Sequence, residues 1–313
     1  MHESLTDTLD LLNAKFAATG QSLAGYLDGL LQSDYLTYWD YIHLETLLTL
    51  QKPRTAYPDE LIFITYHQIT ELYFKLILHE IAQIADAEPL TVAFFTARIQ
   101  RVNRYFTLLE DSFSVVVTGM EREQFLKFRM ALLPTSGFQS AQFRKIEIVS
   151  TDLVSLTNQA TSGSGTDSIA ERYQEIYWKQ GATDLTTQQP TFTLQQFDKH
   201  YGPELIRLAD DYQSKNISQR YCQLADTGQS TPELVEALRE YDWRVNVRWK
   251  FAHLRSAVQH LKKETATAEV AATGGTNWQT YLPPRHQQRV FFPALWSAEE
   301  LQSWGQNARH PNQ

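Results

Sequence analysis

Residues 231 to 264 read TPELVEALREYDWRVNVRWKFAHLRSAVQHLKKE, with no proline or glycine after Pro232. Thr231 suits a helix cap, Pro232 needs no N–H at the first helical position, and Glu233 suits the positive end. Leu234, Leu238, Tyr241, Val245, Trp249, Ala252 and Ser256 recur three and four residues apart. That spacing predicts one buried stripe on a helix of roughly 50 Å at ~1.5 Å per residue. The run closes at the loop Ala272-Thr273-Gly274-Gly275. His253 lies on the stripe one turn after Trp249. A histidine on a buried face is ordinarily a core residue bonded to a backbone carbonyl, so position alone does not make it a ligand.

Working outward, almost every periodic segment reads as helix. Leu5, Leu9, Leu12, Phe16, Leu23, Leu27 and Leu30 form an amphipathic arm broken near Gly20. The aromatic stretch Tyr35 to Tyr41 follows. Pro58-Asp59-Glu60 starts a second strong helix to about Ala85, with Phe63, His67, Thr70, Phe74, Leu78 and Ile81 on one face. Further helices are expected over 89–117, 121–133 and 139–156. The small polar run 161–166 is linker-like, and helical spacing is weaker from 167 to 230. The expected architecture is an all-α bundle with long central helices. Residues 1–34 form an N-terminal arm, 35–150 and 231–300 the core, 151–230 an accessory insertion, and 301–313 a frayed tail.

The net charge of −8 argues against the basic surface that nucleic acid or an anionic membrane requires. A single cysteine, Cys222, excludes internal disulfides, Cys-rich zinc sites and covalent haem attachment through paired cysteines. No secretory leader and no apolar run of about 18 residues is present, which predicts neither export nor membrane spanning; the cytoplasm is the expected compartment. Aromatic residues reach 12%, which suits a flat ligand or a packed helical core equally.

Three constellations could carry chemistry. His67 stands between Phe63 and Phe74 on the second helix, where a core role is the ordinary one. Arg129 follows Phe125 and Phe128; between phenylalanines it would lose water and could hold a carboxylate through two parallel hydrogen bonds. Arg144 competes for that role, and the spacing does not choose. The paired glycines after Thr273 permit close backbone approach to a ligand.

Four stretches resemble the tryptophan 2,3-dioxygenase family: Leu36-Thr37-Tyr38 with Tyr41; Asp59 to Ile64 with His67-Gln68, Glu71-Leu72 and Lys75; Phe128-Arg129 with Pro134-Thr135-Ser136-Gly137-Phe138-Gln139-Ser140 through Arg144 and Ile146-Glu147; and Trp249 to His253 with Thr273-Gly274-Gly275. Their order along the chain also matches. The resemblance implies a non-covalent haem b with its iron on His253, near Trp249, and a distal pocket containing His67. It further implies that Arg129 binds the carboxylate of L-tryptophan, that Phe63 and Phe125 line the indole slot, and that Thr273 contacts the amino group. Tyr38, Tyr41 and Ile42 match a segment that reaches a neighbouring active site in a homotetramer. The implied reaction inserts O2 across the indole C2–C3 bond to give N-formyl-L-kynurenine. His67 would orient the indole N–H.

His260, seven residues after His253, is the rival axial ligand. Departures from the family lie near the substrate: His253 and Thr273 are twenty positions apart, a longer spacing than the family's. Thr276-Asn277-Trp278 continues the loop where small residues are usual, Tyr73 replaces a tryptophan, and Lys250 replaces an arginine. A related indole substrate, a non-catalytic haem sensor and a cofactor-free helical scaffold are the competing readings. His67, Arg129 and Thr273 together favour the enzyme, because a sensor needs no carboxylate clamp.

Overall fold

The computed structural model describes residues 4–33, 37–132, 137–157, 168–183, 187, 189–261 and 283–306. Among them every regular element is a helix. The chain forms two compact units, Met1–Lys52 and Pro53–Gln313.

The first unit holds α1 (Leu5–Ala18), α2 (Leu23–Leu31), α3 (Tyr38–Tyr41) and α4 (Leu44–Leu47). Ser4 and Asp7 cap α1 reciprocally, and Ser22 caps α2. Gly20, at φ +72°, permits the reversal between them. Phe16 and Tyr26 then meet with ring centroids 5.1 Å apart. Tyr38, Trp39 and Tyr41 are exposed on the next short turn.

The second unit contains α5 (Asp59–Asp86), α6 (Val92–Ser112), α7 (Ser114–Val117), α8 (Arg122–Phe128), α9 (Ala141–Ser150), α10 (Ile169–Gln174), α11 (Tyr177–Gly181), α12 (Phe192–Asp211) and α13 (Ile217–Asp226). After them come α14 (Pro232–Trp243), α15 (Trp249–Leu261), α16 (Pro284–Gln287) and α17 (Ala298–Gln302). Helix α5 packs on α6 and α9, α6 on α14, and α12 on α9.

Some predicted helices are shorter than their spacing suggested. The one expected from Pro89 begins at Val92, where the Thr91 hydroxyl accepts the Phe94 N–H, and breaks at Phe113 before α7. The one expected to reach Leu133 tightens into a 3-10 turn at Arg129–Leu132. The long helix from Thr231 starts as predicted, with the Thr231 hydroxyl accepting the Leu234 N–H. It is then interrupted by a π turn at Arg244–Arg248, which takes up one residue more than an α turn. Leu234, Leu238, Tyr241, Val245 and Trp249 face the main core, while Trp243 and Val247 pack with Trp296 and Trp304 in a second cluster. The central helix is therefore buried on two sides.

Polar ties fix it there. Asn103 on α6 donates to the Ala237 carbonyl at 2.9 Å, and the hydroxyls of Ser150 and Tyr241 lie 2.6 Å apart. The fully buried Asp242 carboxylate accepts the N–H groups of Phe291 (2.9 Å) and Phe292 (3.0 Å), the Trp296 indole (3.0 Å) and the Asn246 amide (2.8 Å). The C-terminal segment is pinned to the central helix in this way.

Asp242→Ala would leave two backbone N–H groups and an indole N–H buried without an acceptor, at about 1–3 kcal/mol each. Its unfolding free energy, read from the urea midpoint, should fall by more than about 3 kcal/mol. A loss under about 1 kcal/mol would mean that aromatic packing alone holds the segment.

Candidate functional site

The site begins with a tie between two helix starts. Asp59 accepts the Glu121 N–H at 2.6 Å, while its own N–H donates to Gln124 at 3.2 Å. With these ends registered, side chains four and eight residues on lie side by side: Phe63 and His67 on α5, Phe125 and Arg129 at α8 and beyond. Phe63 meets Phe125 at 6.2 Å, Phe128 at 5.7 Å and His67 at 4.1 Å between ring centroids.

The Nδ1–H of His67 donates to the Phe63 carbonyl at 2.7 Å, leaving the Nε2 lone pair outward. His67 is reached by solvent, yet burial lowers its pKa. His253 repeats the arrangement from α15, with Nδ1 3.4 Å from the Trp249 carbonyl and its ring 4.9 Å from Phe113 and 4.7 Å from Trp249. Its pKa is pushed down to about 4, chiefly by burial, with the charges of His67 and Arg144 acting in the same direction. Both imidazoles are therefore neutral near pH 7, the form in which histidine binds metals.

Arg129 is buried, with its guanidinium carbon 6.0 Å from the Phe125 ring, and burial draws its pKa below the usual arginine range. Arg144 is engaged elsewhere, pairing with the buried Glu147 at 2.7 Å and donating to the Tyr177 hydroxyl at 3.2 Å. His260 also has a partner, its Nε2–H donating to the Val116 carbonyl at 2.6 Å. Trp249 is a core residue packed by Phe74 and Phe113, with its edge on His253. Tyr38 and Tyr41 are exposed and Ile42 half-buried within the first unit. Thr273 and its glycine loop lie outside the described residues.

Two features carry no signal in the spacing. Phe113 reaches His253, Trp249 and Tyr66, but it occupies the junction of α6 and α7, where periodicity breaks. Lys250 is buried in a cluster formed from separate parts of the chain. Its ammonium lies 3.4 Å from the Asn246 amide oxygen and 5.4 Å from the Tyr177 ring, and Tyr177 donates to Glu147. Among the described residues no three His, Cys, Asp or Glu side chains converge to hold a bare metal ion.

The family model described as tryptophan 2,3-dioxygenase matches residues 29–157. The tryptophan 2,3-dioxygenase of Caulobacter vibrioides is 30% identical over 283 residues, covering 84% of this chain and 97% of the relative. That of Herpetosiphon aurantiacus is 29% identical over 279 residues, covering 85% and 98%. The Ruegeria sp. protein of the same name is 29% identical over 281 residues, covering 85% and 92%.

Burial, only partly offset by Glu147, pulls the Lys250 pKa from 10.5 down to about 7. The unfolded chain keeps this proton up to the higher value and the folded chain only up to the lower, so unfolding takes up a proton between them. Rising pH across that window therefore stabilises the fold. Lys250→Met should flatten the rise in urea midpoint between about pH 7 and pH 10. An unchanged slope would mean that the folded amine keeps its proton.

Proposed function

The chain belongs to the tryptophan 2,3-dioxygenase family, and from that membership we propose a haem-dependent oxidoreductase that adds both atoms of O2 across the indole C2–C3 bond of L-tryptophan. The product is N-formyl-L-kynurenine; substrate and O2 account for all its atoms, so no external reductant is consumed. The observation that carries this reading is one juxtaposition. The His67 imidazole, a wall of phenylalanines and the buried Arg129 stand together on α5 and α8, and Trp249 and Phe113 hold a second neutral histidine, His253, on the central helix.

The donor set fits a haem. A haem would need from the protein one firm imidazole on a rigid element. His253 offers it from the central helix, with Nδ1 turned toward the Trp249 carbonyl and Nε2 left to coordinate. When bound, the haem supplies the activation of O2. The protein's own residues do the rest. Because Nδ1 of His67 is already a donor to Phe63, its Nε2 can accept the indole N–H and set the orientation of the ring. Phe63 and Phe125 form the slot and exclude water. Arg129, with little water around it, holds the substrate carboxylate. Arg144 is committed to Glu147. A sensor would have no use for such a clamp.

Thr273 remains the proposed partner of the substrate amino group from its loop. Assembly as a homotetramer is proposed as well, with Tyr38, Tyr41 and Ile42 of one copy completing a neighbour's pocket. Exposure of Tyr38, Trp39 and Tyr41 on one short turn supports this, since such aromatic surface is ordinarily covered.

In a haem titration followed at the Soret band, His253→Ala should lose tight binding while His67→Ala retains it. Loss of haem from His67→Ala with retention by His253→Ala would reverse the assignment of the axial ligand.

A further inference from the structure

We propose that His260 is a further polar contact for the substrate, beside those of His67, Arg129 and Thr273, its Nδ1 accepting a hydrogen bond from the α-ammonium of the amino acid whose carboxylate Arg129 holds. The inference rests on the functional reading above and adds a specificity-determining residue to it.

His260 sits on α15 and is 3% exposed. Its Nε2–H donates to the Val116 carbonyl at 2.6 Å, which fixes the tautomer and leaves the lone pair on Nδ1. That nitrogen is buried, and no donor among the described residues reaches it. Buried acceptors in native proteins are nearly always satisfied, so one with no donor among the described residues is open to a donor that a ligand brings.

The position of the ring narrows what that donor is. The His260 ring lies 4.8 Å from the Phe125 ring, tilted by 42°. The Arg129 guanidinium carbon lies 6.0 Å from the same phenylalanine. Both groups thus lie within 6.0 Å of one side chain of the slot. In an α-amino acid the carboxylate and ammonium hang from a single carbon, so an acceptor for the ammonium must stand beside the carboxylate clamp. An ammonium only donates, as does a guanidinium. Phe63, Phe125 and Phe128 offer no acceptor, and Nε2 of His67 is assigned to the indole N–H. Among these wall residues His260 alone brings a further lone pair.

A purely structural His260, packing on Phe125 and tying α15 to Val116, makes a different prediction, and a pair of ligands separates the two. Equilibrium binding of L-tryptophan and of indole-3-propionate, which keeps the carboxylate and lacks the ammonium, is measured on the haem-loaded protein. His260→Leu should weaken L-tryptophan by at least about tenfold and leave indole-3-propionate within about twofold. His260→Gln, whose amide oxygen can accept, should recover part of the loss. If both ligands weaken equally, or neither weakens, the proposal is overturned. Arg129→Lys is the control for the underlying reading, because it should weaken both carboxylates alike. Failure of wild type to bind L-tryptophan, or indifference of both ligands to Arg129→Lys, would sink that reading; an unchanged ligand ratio at His260 would sink only the ammonium contact.

Discussion

The Asp242 carboxylate has no exposed surface and is balanced by N–H donors from the C-terminal segment, Phe291, Phe292 and Trp296, and from Asn246 on its own helix. Burying a charge without such bonds is prohibitive, and burial does push this carboxyl's pKa upward against them. The constraint acts in both directions. The C-terminal segment must lie where its N–H groups and indole meet the carboxylate, and the central helix must present Asp242 at the start of its π turn. Phe291 and Phe292 then fill the space beside Tyr241, while Trp296 and Trp304 cover Trp243 and Val247. A helix enclosed on two sides is a stiff mount, and His253 stands one turn beyond the segment so held.

The opposite wall is assembled by a similar device. Asp59 brings little apolar surface to the core, but by accepting the Glu121 N–H it registers α5 against α8. The placement of Phe63 beside Phe125, and of His67 and Arg129 one turn further on, then follows from the helical repeat. Glu60, beside it, is fully buried and accepts the N–H groups of Arg54 at 2.9 Å and Thr55 at 2.8 Å, which anchors the connection into α5. Two neighbouring carboxylates thus set the entry of one helix and, through it, the geometry of the pocket.

Much of this is legible in the sequence, and the remainder has physical reasons for being hidden. The cap at Thr231 marks a helix start because a hydroxyl acts within three residues, whereas the caps at Thr91 and Ser140 emerge only in the structure. The stripe from Leu234 to Trp249 can be read for the same local reason. The π turn is invisible to that pattern: Tyr241, Val245 and Trp249 keep four-residue spacing through it, and only the burial of Trp243 and Val247 against distant tryptophans shows the second face. The choice between Arg129 and Arg144 likewise depends on where Tyr177 and Glu147 meet, a contact between residues far apart in sequence. His260 shares a helix face with His253 by spacing, yet the Val116 carbonyl, far away along the chain, occupies its Nε2. Thr273 lies outside the described residues, so its assignment rests on the resemblance alone.

If this site opens the indole ring of tryptophan with both atoms of dioxygen, a single turnover will show it. Haem-loaded ferrous protein is saturated anaerobically with L-tryptophan, mixed with isotopically labelled O2, and quenched for mass analysis of the product. N-formyl-L-kynurenine carrying both labelled oxygen atoms is the expected result. A product with one labelled atom, or unchanged tryptophan accompanied by simple oxidation of the haem, would contradict the proposed chemistry.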